Sequence, residues 1–163
     1  MRVVRCFAFL DLCGFTAYTE QRGDQQAVAV LAHLRAILRA QAEQSGVRVT
    51  KWLGDGAMLS GVEAADVIAC AVEVSARMRV ESSLPLRAGV SSGPVIMFEG
   101  DDYIGAAVNR AARLCQVARP GQILVTSDTA AAAPDGIACR ELPAVWAPGL
   151  PQPVDVCELE PAA

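Results

Sequence analysis

The chain has 163 residues and a formal net charge of −4. This length predicts one domain with a sizeable core. The acidic balance and the lack of a Lys/Arg block argue against nucleic acid or an anionic membrane as a partner, but not against free nucleotides. Six cysteines without a CxxC pair indicate reduced thiols and a cytoplasmic protein. The apolar N-terminal run meets an acid too early for a signal peptide or membrane span.

Apolar periodicity predicts alternating strands and helices. In the first half these are a strand at 3–10, helices at 14–20 and 24–44, a hairpin at 47–59 and a helix at 61–80. In the second half they are strands at 86–90 and 95–98, a loop at 99–102, a helix at 104–116, a strand at 123–126, a short helix from 127, and strands at 137–145 and 154–159. Asp24 is predicted to N-cap the second helix.

The order of these elements is that of a split β-α-β arrangement. It predicts an α+β fold of the ferredoxin-like type, with a mixed, mainly antiparallel sheet and helices flanking it on one face. The chain shows no internal repeat and no linker. We therefore expect a single domain over residues 1–163.

The stretch VTKWLGDGAM at 49–58 combines a lysine, a tight turn and a carboxylate. Gly54-Asp55-Gly56 supplies the positive φ of a hairpin, so the turn by itself indicates only two paired strands. Lys51 is the only lysine in a chain whose other basic residues are arginines, which suggests a site that needs a compact, rotatable ammonium. Asp11 ends the first strand. Two aspartates at neighbouring strand ends would form an oxygen site of the kind Mg²⁺ prefers.

The helix predicted at 104–116 carries Asn109 and Arg113 four residues apart, on one face. By itself this pair indicates a solvated helix surface. His33 is the only histidine, and without a second ligand nearby it is given no role. The amides of Gly14, Phe15 and Thr16, at the helix start after Asp11, suit phosphate oxygens.

Five segments carry a resemblance to a known family: FLDLCGFTAYTE, VTKWLGDGAM, RAGVSSGPV, DDYIGAAVNRAARL and PVDVCEL. Each is weak evidence alone. Together, in this order and at this spacing, they resemble the catalytic domain of class III nucleotidyl cyclases, in the adenylyl, stand-alone bacterial form. The resemblance spans almost the whole chain and implies a single catalytic domain with the fold expected above.

The resemblance also implies the metal ligands and the base-reading pair. Asp11 and Asp55 match the two aspartates that hold two Mg²⁺ or Mn²⁺ ions in this family, helped by the backbone carbonyl of Leu12. Lys51 and Asp102 match the pair that selects the purine. A lysine donor and an aspartate acceptor complement N1 and N6 of adenine, so ATP is the expected substrate.

Asn109 and Arg113 match the family pair that orients the ribose and stabilises the transition state. The resemblance implies a head-to-tail homodimer with two shared sites, in which the metal aspartates come from one subunit and the other four residues from its partner. The expected reaction converts ATP to 3′,5′-cyclic AMP and pyrophosphate.

Some positions depart from the family pattern. Pro148 stands where many members carry a lysine that touches the terminal phosphates, and Arg119 is one candidate to replace it. Ser91 replaces a frequent histidine, and Cys13, beside Asp11, is read as a packed small residue. Two alternatives stay open: a guanylyl or promiscuous cyclase, and a catalytically silent, nucleotide-binding domain that regulates a partner.

Overall fold

The computed structural model describes residues 1–100 and 102–161. Within these ranges eight strands form one sheet, accompanied by five helices. In chain order the elements are β1 (Arg2–Leu12), α1 (Phe15–Arg22), α2 (Asp24–Ser45), β2 (Arg48–Leu53), β3 (Gly56–Gly61), α3 (Ala64–Glu81), β4 (Leu86–Phe98), β5 (Asp102–Ile104), α4 (Ala106–Val117), β6 (Ile123–Thr126), α5 (Ser127–Ala130), β7 (Ile137–Val145) and β8 (Val154–Pro161).

The strand order is β2-β3-β1-β4-β6-β8-β7, and β5 pairs with β4 beside this path. Every pairing is antiparallel except that of β4 with β6, which follows the crossover through α4. Such a crossover is the usual way to join parallel strands. The predicted α+β fold with a mainly antiparallel sheet is confirmed.

Helices cover both faces of the sheet, so the expectation that they lie on one face is wrong. Cys6, Ala8 and Leu10 of β1 pack into the core under α2 and α3. The intervening Phe7 packs with Ala107 and other α4 residues in a second cluster. Alternate residues of a strand point to opposite faces, so both faces are apolar and both need a cover.

Helix α4 lies unusually close to the sheet because β4 has a glycine beneath it. A Cβ on Gly89 would lie only 2.3 Å from the Ala111 carbonyl oxygen. Only glycine permits this approach of helix and strand backbones. The contact fixes the height of α4, and therefore of Asn109 and Arg113, above the sheet.

The structure corrects several predicted boundaries. The strands expected at 86–90 and 95–98 are one strand, β4, because β1 pairs with it from Leu86 to Ile96. The third helix begins at Ala64 rather than Gly61, which still pairs with β1. Gly23, not Asp24, is the N-cap of α2. Asp102 lies in β5 instead of a loop; Asp101, in the same predicted loop, is outside the described residues.

Residues 1–100 and 102–161 contain no helix that is both long and apolar enough to span a bilayer.

Candidate active site

The two predicted metal aspartates meet at one end of the sheet. Asp11 is the second-last residue of β1 and pairs with Gly56, and the Leu12 amide donates to the Asp55 carbonyl over 3.1 Å. A Cβ on Gly56 would lie 2.3 Å from the Leu10 carbonyl oxygen, so glycine is required for the hairpin to close against β1. This close pairing places the two carboxyl groups near enough for Asp11 to act on the ionisation of Asp55.

Partial burial raises the pKa of the Asp55 carboxyl to about 6, and the hydrogen bond and negative charge of Asp11 add to the rise. Two like charges held together disfavour ionisation of the pair. A divalent cation between them would remove that penalty. The donor set therefore suits Mg²⁺ or Mn²⁺, although the described residues hold no cluster of three or more acidic, His or Cys side chains. Backbone oxygens, water and substrate phosphates would have to complete the coordination.

Arg87 of β4 is a member of this site that the motifs did not single out. Its Nη2 lies 3.0 Å from Oδ2 of Asp11, and its Nη1 donates to the Gln116 carbonyl over 2.8 Å. Asp11 and Arg87 are directly opposite in the pairing of β1 with β4. Opposite charges at facing positions of adjacent strands were the signal that could have found it, once that pairing was known.

A small cavity of about 250 Å³ opens beside Asp11. Its lining is Leu12, Cys13, Gly14, Arg87, Ala118 and Pro120. Gly14 has a left-handed φ of 74° and is the N-cap of α1, whose first amides have no acceptor within the helix. The amides predicted to bind phosphate thus begin next to the Arg87 guanidinium, a combination that favours an anion.

Lys51 and Asp102 lie in contact although they belong to strands that are far apart in the sequence. Lys51 lies on β2 after an irregularity in its pairing with β3, and Asp102 begins β5. Lys51 Nζ is 2.5 Å from Asp102 Oδ1, and about half of each side chain is exposed. The pair is therefore formed but open to a ligand.

Asn109 and Arg113 lie on α4 as expected, but in different surroundings. Asn109 is exposed and lines a cavity of about 480 Å³ with the start of α5 and the segment 149–155. Arg113 donates from Nη1 to Gln116 Oε1 over 3.0 Å. It also lies against Gly149, where a Cβ would be 2.9 Å from Arg113 Nε.

Three further positions from the sequence analysis lie around the site. Pro148 lies in the loop between β7 and β8, one residue from the Gly149 contact with Arg113. Arg119 is exposed, and its charge acts on Glu158, so Arg87 is the better-placed cation beside Asp11. Burial raises the pKa of the Cys13 thiol, which disfavours the reactive thiolate.

Comparison with known proteins identifies the family. The profile of the adenylate and guanylate cyclase catalytic domain matches residues 4–142. The chain therefore belongs to that family, and it is a class III cyclase domain. Domains of this family generally use divalent metal ions.

Two curated relatives are from Mycobacterium tuberculosis. An uncharacterised protein is 33% identical over 128 residues, covering 78% of this chain and 34% of the relative. A protein named pH-sensitive adenylate cyclase is 35% identical over 122 residues, covering 72% of this chain and 30% of the relative. The chain thus spans about a third of the length of the curated relatives it matches.

Solved cyclase structures share the fold. The adenylyl cyclase CyaB from P. aeruginosa superposes with a TM-score of 0.88 at 23% identity, over 100% of this chain and 96% of that one. The guanylyl cyclase Cya2 gives a TM-score of 0.85 at 24% identity, over 100% and 94%. Adenylyl and guanylyl enzymes therefore match this backbone about equally well, and base selectivity has to be argued from side chains.

The raised pKa of Asp55 predicts a pH-dependent effect on stability in metal-free protein. The group's pKa is 3.8 ordinarily and about 6 in the folded chain, so the folded state binds the proton more tightly. Stability contributed by this group is therefore lost as pH rises from about 4 to above 6. We expect Asp55→Asn to raise the melting temperature in EDTA at pH 7.5 and to have no such effect near pH 4. An equal shift at both pH values would contradict the assignment of the raised pKa.

Proposed function

We propose that this chain is an adenylyl cyclase that converts ATP to 3′,5′-cyclic AMP and pyrophosphate. The observation that carries the proposal is the contact of Lys51 with Asp102, whose Nζ and Oδ1 lie 2.5 Å apart. Strand β2 and strand β5 thereby present one donor and one acceptor side by side, half exposed. Neither side chain alone would distinguish two purines.

Donor and acceptor matching favours adenine at this pair. Adenine offers an acceptor at N1 and a donor at N6, which the Lys51 ammonium and the Asp102 carboxylate complement. Guanine offers the opposite pattern along the same edge, so the same placement would set donor against donor and acceptor against acceptor. A site that hydrogen-bonds its substrate discriminates against an analogue whose donors and acceptors do not match its own.

The other predicted residues would bind the ribose and the phosphates, directly or through metal ions. Asp11 and Asp55 are the side chains that would hold two Mg²⁺ or Mn²⁺ ions, with the Leu12 carbonyl. The chemistry that such ions would supply there is activation of the attacking 3′-oxygen and neutralisation of charge on the leaving pyrophosphate. Asn109 orients the ribose. Arg113 supplies a fixed positive charge to the α-phosphoryl oxygens as they gain charge, a kind of contribution worth ~3 kcal/mol.

The triphosphate needs cations that Pro148 cannot provide. Arg87 and the first amides of α1 offer a replacement, because they line one small cavity beside Asp11. In this proposal Arg87 exchanges its contact with Asp11 for phosphate oxygens when metal and nucleotide bind.

A head-to-tail homodimer with two shared sites is part of the proposal. Val4, Ile96, Phe98 and Ile104 are exposed apolar residues. The register of β1, β4 and β5 puts all four on the same sheet face as Asp102. Exposed apolar side chains grouped in this way favour association with another protein surface.

The test is a cyclisation assay of the purified chain with ATP and with GTP, each with Mg²⁺ and Mn²⁺. Cyclic AMP as the main product supports the proposal. Cyclic GMP as a product, formed from GTP at an equal or higher rate, would make the chain a guanylyl or promiscuous cyclase. Nucleotide binding without product under any of the four conditions would make it a silent, regulatory cyclase-like domain.

The base pocket makes a prediction of its own. Lys51→Glu with Asp102→Cys removes the donor and acceptor for adenine, so ATP turnover should drop by roughly tenfold or more, about 1.4 kcal/mol in kcat/KM. Relative use of GTP should rise. Steady-state kinetics with both nucleotides measure this, with the melting temperature as a control for folding. Unchanged ATP kinetics in the double variant would remove both residues from the base pocket.

A further inference from the structure

Helix α2 contacts the hairpin that carries Asp55, and the contact is made to Trp52 of that hairpin. The Trp52 ring has the Arg35 guanidinium carbon 4.8 Å from its centroid and that of Arg39 5.0 Å away. The two arginines are four residues apart, so they lie on one face of α2. Both distances are within the range of cation–π attraction. Trp52 also packs against the main core, so its position is fixed both by α2 and by the core.

Only one of the two arginines reaches the turn itself. Arg35 Nη2 donates to the Gly54 carbonyl over 3.4 Å, and Gly54 immediately precedes Asp55. The Nε of Arg35 is buried and has no hydrogen-bond partner among the described residues. Leaving a buried donor unpaired is costly. Arg35 is therefore held in this place by its contacts with Trp52 and Gly54, not by full satisfaction of its own donors.

The backbone is thus held on both sides of Asp55, at the peptide before it and at the peptide after it. Its Gly54 carbonyl accepts from Arg35, and the Asp55 carbonyl accepts from the Leu12 amide of β1 over 3.1 Å. Gly54 has a left-handed φ of 59°, a conformation that the rest of the turn must support. A change at either contact would rotate the backbone that carries the Asp55 carboxylate toward Asp11.

We propose that Arg35 is a positioning residue that orients Asp55 for metal binding through the Gly54 carbonyl. This inference rests on the proposed function, in which Asp11 and Asp55 are the metal ligands. Groups that orient a metal ligand without touching the metal commonly change its affinity by tenfold or more. Arg35 differs from such a group in acting on the ligand's backbone, and helix α2 becomes the element through which the site can be adjusted.

The chain provides a matched control for this role. Arg39→Met removes the same charge and the same kind of contact with Trp52, but it leaves the Gly54 carbonyl bonded. Arg35→Met removes both contacts. Arg35→Lys keeps a cation and a donor, and Arg35→Gln keeps a donor alone, so these two variants serve where Arg35→Met does not fold.

The experiment is a Mn²⁺ titration of each variant of the chain without nucleotide. Electron paramagnetic resonance measures the free ion at each step. Asp55→Ala defines binding outside the site. We expect Arg35→Met to weaken site-specific Mn²⁺ binding by roughly tenfold, Arg39→Met to stay within about twofold of wild type, and Arg35→Lys to recover most of the loss. Hydrogen exchange of the amides at 53–57 should quicken in Arg35→Met only.

The outcomes separate the two claims. If wild type binds Mn²⁺ no better than Asp55→Ala, the metal assignment in the proposed function is wrong and the role of Arg35 is excluded with it. If wild type binds specifically but Arg35→Met and Arg39→Met weaken binding equally, or neither does, the positioning role is overturned while the metal assignment stands.

Discussion

Asp55→Ala is expected to lower cyclase activity by roughly 100-fold or more while leaving the melting temperature equal to or above that of wild type. Loss of one ligand removes the charge stabilisation that bound metal gives, worth several kcal/mol. The substitution does not lower the stability of the folded chain, because Asp55 is held against Asp11 in a partly buried place that raises its pKa and disfavours its charge. Activity assays with Mg²⁺ and Mn²⁺, beside thermal melts in EDTA at pH 7.5, measure both effects.

Asp11→Ala is the instructive comparison for that variant. It should be equally inactive, but its melting temperature should not rise, because Arg87 loses the carboxylate 3.0 Å from its Nη2. A partly exposed ion pair of this kind contributes about 0–1 kcal/mol. Substantial activity in both alanine variants would contradict the two-metal assignment. A lower melting temperature for Asp55→Ala alone would contradict the repulsion between the two carboxylates.

Mixing two inactive variants is expected to restore activity. If each site draws Asp11 and Asp55 from one subunit and Arg113 from the other, Asp55→Ala and Arg113→Ala homodimers each lack one half of both sites. A mixed dimer collects both lesions in one site and leaves the other intact. Random pairing of equal amounts makes about half of all dimers mixed, so roughly a quarter of wild-type activity should return.

The recovery has a concentration dependence that serves as its control. It should fall on dilution when subunits separate, and a mixture of Asp55→Ala with Asp11→Ala should stay inactive because both lesions lie in the same half-site. Subunit exchange is verified beforehand with differently tagged chains. No recovery after verified exchange would mean that each site lies within one chain.

Much of the candidate site could be predicted from the sequence, because its motifs are short and local. Gly54-Asp55-Gly56 predicts a hairpin wherever it occurs between apolar runs, and a strand that ends on Asp11 predicts a carboxylate at the sheet edge. The family profile over residues 4–142 confirms the family, and the solved cyclase structures confirm the fold. The roles of the individual site residues stay predictions.

Boundaries were misread where pairing overrides local preference. Ser91 to Pro94 has turn-forming residues, yet it continues β4, because β1 offers backbone partners along the whole strand. Gly61 begins no helix for the same reason, being paired with Cys6. Hydrogen bonds supplied by a neighbouring strand outweigh propensities of a few tenths of a kcal/mol per residue.

By itself, the sequence determined the order of elements, the positions of the strand-end aspartates and the α4 pair, and the class of enzyme they resemble, because these depend on residues close together in the chain. Only the tertiary structure decided which distant residues meet. Arg87 faces Asp11 across 76 positions, and Arg35 reaches Gly54 across 19. Such contacts follow from strand register and helix packing, which depend on the whole core and leave no mark in any one segment.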